Sequence, residues 1–439
     1  MLHGEIKPII KNKNKDHTDP NNYRPIMNSC NLLKLFEYCL LPFLNKYIHV
    51  NSHQFGFRRQ TGCISAITVL KETVLNYTSS GSKVHCAMID LSKAFDKVNH
   101  KILIMKMMEA GMPPLLVRIF KYMMENVYVN VSVGGHKGDD WLIKNGTRQG
   151  GILSPHIFNF YINNMIGRVS SCDVGCRIGI YRTNIICYAD DILLCAPSVQ
   201  GLQFLVNYVC DILNDLCLPL NDKSSYIVFR NRRTPRVTYT IDVLTDTFEN
   251  INECKYLGAI LTDDFRLDED LCRSSSSFLR QFNSIFHKFS FLNVDVLSFL
   301  IQSYCFSFYG SELWYNFSNK RVFNKISVAY HKAIKRVAGL APWQSNHAAS
   351  DITHLPIFSH FINSKILSHL FSLIQSVSPC IIPLKYYFRF SSFILKHSVN
   401  TFRDTYNVND ILDNDFKALK AGIFYTQQNE ERSFYMISK

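Results

Sequence analysis

Apolar residues recur along this chain with two different periods, and each change of period marks a new element. From Leu32 to Leu44 they return every three or four positions, which predicts a helix. Val84 to Leu91 (VHCAMIDL) is a nearly unbroken apolar run with an acid near its end, the pattern of a buried strand. Lys101 to Ala110 reads as a helix stopped by Gly111 and the Pro113–Pro114 pair. Tyr128 to Val133 alternates as a strand does, with Gly134–Gly135 as its turn. Ser154 followed by Pro155 predicts a helix start, a capping hydroxyl before a proline whose missing N–H costs nothing. That helix puts Ile157, Phe158, Tyr161, Ile162, Met165 and Ile166 on one face. Two short apolar strands then meet at Ala189–Asp190–Asp191. A helix from about Val199 to Leu216 and strands near Tyr226 to Arg230 and Tyr256 to Leu261 follow.

After Asp264 the pattern becomes mostly helical. The spacing over Val322 to Val337 turns Phe323, Ile326, Tyr330, Ala333, Ile334 and Val337 inward and leaves Lys325, Lys332, Lys335 and Arg336 outside, with Gly339 placed to end the helix. The uncharged stretch between Lys365 and Lys385 is long, but its Ser, His, Gln and Pro residues suit a buried helix and a loop better than a membrane span. The expected organisation is an α+β region over 1–262, a helical region over 263–345, and a tail over 346–439 with no pattern that argues a role.

Composition narrows the class. Hydrophobic residues make up 47% of the 439, enough for a large packed core and too many for a disordered chain. Lys and Arg outnumber Asp and Glu by 48 to 35, a net charge of +13 that suits a polyanionic partner such as nucleic acid. The fourteen cysteines are scattered singly, several (Cys39, Cys187, Cys210) inside apolar runs, which predicts buried thiols in a reducing compartment. Cys172 and Cys176 lie close together, but no matching His or Cys cluster follows them, so a zinc site is not expected. No apolar leader precedes the first basic residues, and the expectation is an intracellular protein that is not exported.

The candidate chemistry centres on acids. Asp190 and Asp191 sit side by side between apolar runs, where two ionised carboxylates repel and lose solvation. Either they form an ordinary turn, which Asp favours, or a divalent cation neutralises them. Nucleotide transfer is well served by two such ions, and a strand ending in an acid (Asp90) beside a hairpin tipped with acids would hold them.

MIDLSKAFDKVNH, GTRQGGILSP and YADD, in that order, resemble the successive palm motifs of reverse transcriptases. NYRPI (22–26), QFGFR (54–58), NDKSS (221–225) and KYLGAIL (255–261) resemble the flanking elements of the non-LTR, LINE-type retrotransposon group. The resemblance covers about residues 5–262. It implies an α+β, right-hand polymerase fold with an antiparallel-sheet palm, fingers and a helical thumb.

Residue by residue, it implies that Asp90 and Asp190 bind two Mg²⁺ ions, with Mn²⁺ as an alternative, and that Asp191 is the third carboxylate. Phe95, five residues after Asp90, is similar to a steric gate against the ribose 2′-hydroxyl; packing in the core is its alternative. Gln149 and Gly150 match the loop that presses on template and incoming base, and Gly150 would permit close backbone approach. Arg148 beside them is either a phosphate contact or a solvated side chain. Lys11 and Arg24 match the basic pair that reaches the triphosphate, where Arg suits bidentate binding. Lys223 matches a lysine near the leaving pyrophosphate, a candidate general acid. Tyr256, Leu257 and Gly258 resemble the turn that grips the primer end. The basic helix 322–337 would suit a thumb lying along the backbone of a hybrid duplex.

The resemblance therefore implies RNA-directed DNA synthesis, with an RNA template, a DNA primer or target site, dNTPs and a separate nuclease as partners, in the nucleus or a cytoplasmic ribonucleoprotein and without a membrane. The motifs begin almost at Met1, so a polymerase portion lacking the endonuclease domain, a truncated or decayed copy, is expected. Two alternatives stand beside it. One is a retired polymerase kept as a nucleic-acid-binding protein, although such relics commonly lose an aspartate and all three are here. The other is an RNA-dependent RNA polymerase, which would place an acid where Phe95 stands.

Overall fold

The apolar run that begins at Val84 forms the middle strand of a five-stranded sheet, with protein packed on both of its faces. The computed structural model describes residues 3–11, 16–221, 224–236, 238–243, 246–316, 320–376, 380–382 and 384. They form two compact units. One runs to Cys254 and takes in Thr262–Phe265; the other holds Lys255–Leu261 and the described residues from Arg266 onward.

In the first unit, β1 (His3–Ile10) and β2 (Tyr23–Ser29) pair antiparallel, with Pro8 directly opposite Pro25. Two residues without an N–H can face each other only where the ladder asks neither to donate. Helices α1 (Asn31–Tyr47) and α2 (Cys63–Ser79) follow, then β3 (Val84–Ile89). The next elements are α3 (His100–Glu109), α4 (Pro114–Glu125) and β4 (Tyr128–Val133), which lies parallel to β1 in a second sheet. Then come α5 (Ser154–Ser170), the hairpin of β5 (Ile185–Tyr188) and β6 (Asp191–Ala196), α6 (Val199–Asp215), β7 (Ser225–Phe229) and β8 (Glu249–Ile251).

The sheet built around β3 has the order β8-β7-β3-β6-β5. Its strands β7, β3, β6 and β5 pair antiparallel, as the resemblance implies, whereas β8 joins β7 in parallel. Helix α5 buries the face its spacing predicts, and α6 buries Leu202, Leu205, Val206 and Val209. Both share one core with Ile185, Cys187, Ile192 and Leu194, alternate residues of the β5–β6 hairpin. The intervening Ile186 and Leu193 are buried as well, and α2 packs on β5 and β3. Each such side chain gains roughly 1.5–3 kcal/mol over exposure, so the hairpin is held firmly from both sides.

Two local expectations change. Ser154 is already helical, and Leu153 precedes it without a side-chain cap. The N–H groups of Ile152 and Leu153 instead donate to Glu37 Oε2 at 2.6 and 3.3 Å, so a carboxylate from α1 replaces the local hydroxyl. Of the cysteines expected inside, Cys187 and Cys210 are buried but Cys39 is exposed. It lies on the outer side of α1, whose inner face uses Leu33, Leu40 and Leu44.

Tyr256 to Leu261, one strand by its pattern, contains the turn that the resemblance implies at Tyr256–Gly258. β9 (Glu253–Tyr256) pairs with β10 (Ala259–Thr262) across Leu257 and Gly258, both at positive φ (45° and 86°). In the second unit, Tyr309 Oη donates to the Leu257 carbonyl at 2.5 Å, and a Cβ on Gly258 would come 3.0 Å from the Tyr309 ring. The helices are α7 (Asp268–Phe289), α8 (Val294–Cys305), α9 (Lys320–Val337), α10 (Asn346–Thr353) and α11 (Phe358–Gln375). Their core is aromatic, with Tyr330 ringed by Phe278, Phe306 and Phe358 at 5.2 to 5.6 Å between centroids.

Helix α9 buries Ile326, Tyr330, Ala333, Ile334 and Val337 as expected, but Lys335 is buried too. Its ammonium donates to the Pro342 carbonyl at 2.9 Å and closes the loop after the helix. The buried helix expected after Lys365 starts earlier, at Phe358, and α10 precedes it where no element was expected. Among the described residues, no helix is long and apolar enough to cross a membrane.

Candidate active site

The β5–β6 hairpin turns through Ala189 and Asp190, with Tyr188 opposite Asp191. Ala189 takes the left-handed conformation, φ 54°, which tightens the turn. Because Ile192 pairs with Ile89, Asp90 leaves β3 at the same end of the sheet as this turn. The 220s loop braces Asp90. Asn221 Nδ2 donates to Asp90 Oδ2 at 2.8 Å, the Asn221 N–H to the Asp90 carbonyl at 2.9 Å, and the Asp90 N–H to Ser224 Oγ at 3.1 Å. Lys223, between those two residues, lies outside the described residues.

The electrostatics of the acids are those of like charges brought together. Burial, and then the charge of Asp90, push the Asp190 carboxyl above the usual range, while Arg24 pulls it back. Asp191 is exposed as a residue, yet its carboxyl end is crowded. Burial, then repulsion from Asp190 and Asp90, pushes it up to about 6. Such a cluster favours a compensating cation.

Asp90 and Asp190 open onto a cleft of about 930 Å³. Its other wall comes from β1, β2 and β4 through Ile6, Pro8, Arg24, Pro25 and Val131. The structure thus brings Lys11, Arg24, Phe95 and Gln149 together with Asp90 and Asp190. Asp191 and Gly150 do not line it. Lys11 Nζ donates to the Asn21 carbonyl at 2.9 Å, and Lys93 Nζ to Asn21 Oδ1 at 3.1 Å. Lys93 is a third cation that sequence reasoning missed, and a positive φ of 52° just before the 310 turn at Ala94 sets its direction.

Phe95 does both things its sequence allowed. It stacks on Phe158 of α5, 4.5 Å between centroids, and it lines the cleft. The Thr147 N–H donates to the Phe95 carbonyl at 2.7 Å, and Gln149 Nε2 to Asp96 Oδ1 at 2.9 Å. The loop bearing Gln149 is therefore tied to the loop bearing Phe95. Gly150 has φ 111°, and a Cβ there would sit 2.7 Å from the Met27 carbonyl oxygen. Its close approach is to β2, where the Met27 N–H also donates to the Gln149 carbonyl at 2.8 Å. Arg148 is neither solvated nor on the cleft; it forms a buried ion pair with Glu37. Tyr256, Leu257 and Gly258 lie in the second unit at the turn described above.

Among the described residues, no three acidic, histidine or cysteine side chains converge as a closed metal centre. Of the three carboxylates on the cleft wall, Asp96 accepts from Gln149, and the donor set is the pair Asp90 and Asp190. That suits magnesium, which keeps several waters and takes one or two carboxylates plus substrate phosphates.

Residues 10–261 match the family model described as reverse transcriptase (RNA-dependent DNA polymerase). The chain is 26% identical over 251 residues to the Retrovirus-related Pol polyprotein from type-2 retrotransposable element R2DM of Drosophila melanogaster, covering 55% of this chain and 24% of that one. It is 25% identical over 354 residues to the RNA-directed DNA polymerase from mobile element jockey of the same organism, covering 76% of this chain and 37% of that one. The chain thus spans well under half the length of either relative. Among solved structures, apo telomerase from Candida Tropicalis is similar with a TM-score of 0.47 and 12% identity, over 95% of this chain and 69% of that one.

Proposed function

Because the chain belongs to the reverse transcriptase family, whose chemistry uses divalent metal ions, we propose that it is the polymerase portion of a non-LTR retrotransposon protein, extending a primer 3′-hydroxyl with dNTPs on an RNA template. One observation carries this reading: the carboxylates Asp90 and Asp190, with Asp96 holding Gln149 beside them, and three cations, Lys11, Arg24 and Lys93, line a single cleft. Carboxylates alone would suit a metal store, and cations alone an anion site. The combination suits a nucleoside triphosphate met by metal on one side and by lysine and arginine on the other.

Asp90 and Asp190 would hold Mg²⁺, with Mn²⁺ as an alternative, and Asp191 adds negative charge beside them. Bound there, such ions supply activation of the attacking oxygen and neutralisation of the departing phosphates. Arg24, with its planar fork, binds phosphate oxygens in two places at once; Lys11 and Lys93 add point charge. Phe95 lies beneath the sugar and is held by Phe158, so it resists displacement by a 2′-hydroxyl. Gln149 orients the base pair while Asp96 fixes its amide. Lys223 serves as the acid at the pyrophosphate by its match alone. Tyr256, Leu257 and Gly258 hold the primer end.

The test is extension of a DNA primer annealed to RNA by the purified chain with Mg²⁺ and dNTPs. The expected result is incorporation that Asp190→Ala abolishes while the variant still binds the hybrid. A wild type that binds the hybrid and incorporates nothing would support instead a retired, purely binding protein.

A further inference from the structure

We propose that Gln54 is the positioning residue that fixes the turn carrying Asp190, a role that rests on the polymerase reading above. Gln54 is fully buried. Its Oε1 accepts the N–H of Ala189 at 2.8 Å and that of Gly56 at 2.9 Å, and its Nε2 donates to the Ala189 carbonyl at 3.4 Å. One side-chain amide therefore satisfies both backbone polar groups of the residue immediately before Asp190.

Ala189 needs that hold. It is buried, and its left-handed backbone is one that an L-residue avoids unless its surroundings enforce it. The hairpin cannot enforce it alone. Both faces of β5 and β6 are apolar, so alternation of side chains does not say which residues form the turn. The chain around Gln54 supplies the missing constraint. Residues 53–55 lie along β5, where the Phe55 N–H donates to the Cys187 carbonyl and the Cys187 N–H to the His53 carbonyl, both at 2.8 Å.

Gly56 completes the clamp. A Cβ there would stand 2.7 Å from the Ala189 nitrogen, closer than real side chains come. The Gly56 carbonyl accepts from Asn159 Nδ2 of α5 at 2.8 Å, which ties the clamp to the core helix. Loss of the Gln54 amide would leave the Ala189 N–H and C=O buried without partners, and the turn would relax toward an ordinary backbone conformation. Asp190, the next residue, would move with it.

The experiment uses the full chain and two variants, Gln54→Met, which keeps length but removes the amide, and Gly56→Ala. Hydrogen exchange is followed on the peptide covering 185–191, alongside primer extension. The expected result is turn exchange faster by about tenfold in both variants. Extension should lose about 10²-fold in kcat, the cost of a misplaced reacting group, with the KM for dNTP within about twofold of wild type. A melting temperature that falls while turn exchange and kcat stay at wild-type values would overturn the proposal. If Gln54→Met does not fold, Gly56→Ala retains the amide and decides alone by the same readouts. A wild type that extends nothing while turn exchange responds to the variants would remove the polymerase reading and leave the clamp standing. Unresponsive exchange removes the clamp whatever the activity.

Discussion

Glu37 of α1 and Arg148 of the loop before α5 form an ion pair away from solvent, and the same carboxylate accepts the N–H groups of Ile152 and Leu153. One side chain thereby anchors both ends of the segment that contains Gln149 and Gly150. Burial and the Glu37 charge act in opposite directions on Arg148, and burial prevails, lowering its pKa from the ordinary arginine value. The pair is therefore a means of fixing a loop at some cost in desolvation.

Removing one partner should expose that cost. Glu37→Ala leaves a buried guanidinium unpaired and the first turn of α5 uncapped, and a destabilisation of about 3–5 kcal/mol is expected in urea unfolding. The double variant Glu37→Met/Arg148→Met should recover a good part of it, because no charge is left stranded. Equal destabilisation in the single and double variants would mean that the pair has no role beyond packing.

Arg24 faces the carboxylates across the cleft. Arg24→Ala should raise the KM for dNTP by about 10- to 100-fold, the worth of hydrogen bonds between charged groups. Its kcat should change far less, since Asp90 and Asp190 remain in place. Arg24→Lys should fall between, keeping the charge but not the fork. Steady-state kinetics on a fixed primer and template separates these outcomes, and an unchanged KM in Arg24→Ala would place the triphosphate elsewhere.

Phe95 is held from behind by Phe158 and is open to the cleft in front. Phe95→Val should lower the preference for dNTP over rNTP by about tenfold or more. Phe158→Leu leaves Phe95 in place without its stacking partner and should relax the preference partly. Discrimination is read from kcat/KM for matched dNTP and rNTP. Unaltered discrimination in Phe95→Val would leave Phe95 only its packing role.

Local chemistry was legible in the chain itself. Asp90 closing an apolar run and Asp190 at the meeting of two apolar strands are fixed by residues within five positions of each. So is the buried face of α5. What could not be read was set by partners far away in sequence. Nothing near Gln54 says that its amide ends on Ala189, although QFGFR did mark the segment as special. Glu37 looks like any acid on a helix until its partners arrive from the loop before α5. Lys335 reads as a solvated lysine because only the fold brings the Pro342 carbonyl to it. Lys93 stood inside a quoted motif, but its direction depends on a positive φ that a lysine does not advertise. The turn at Leu257–Gly258 came from the resemblance and not from the local pattern for a related reason, since Leu257 occupies the left-handed region usually left to glycine or asparagine.

His85 gives the sheet a dependence on acid. It lies on β3, the middle strand, its ring stacked on Tyr226 at 6.3 Å and meeting the edge of Tyr239 at 5.3 Å. Burial, with a smaller contribution from the Lys83 charge, lowers its pKa from 6.5 to about 4. The folded chain therefore holds His85 neutral, while the unfolded chain binds a proton below pH 6.5. Between pH 6.5 and 4 the unfolded state takes up more protons than the folded one, so stability falls as pH falls, by about 3 kcal/mol over the window. Below the folded pKa both states are protonated and this contribution no longer changes. His85→Phe keeps an aromatic ring against both tyrosines and removes the titration. Chemical unfolding of wild type and His85→Phe at a series of pH values should show the wild type losing the larger amount across that window. Parallel acid limbs in the two proteins would show that His85 does not set the response.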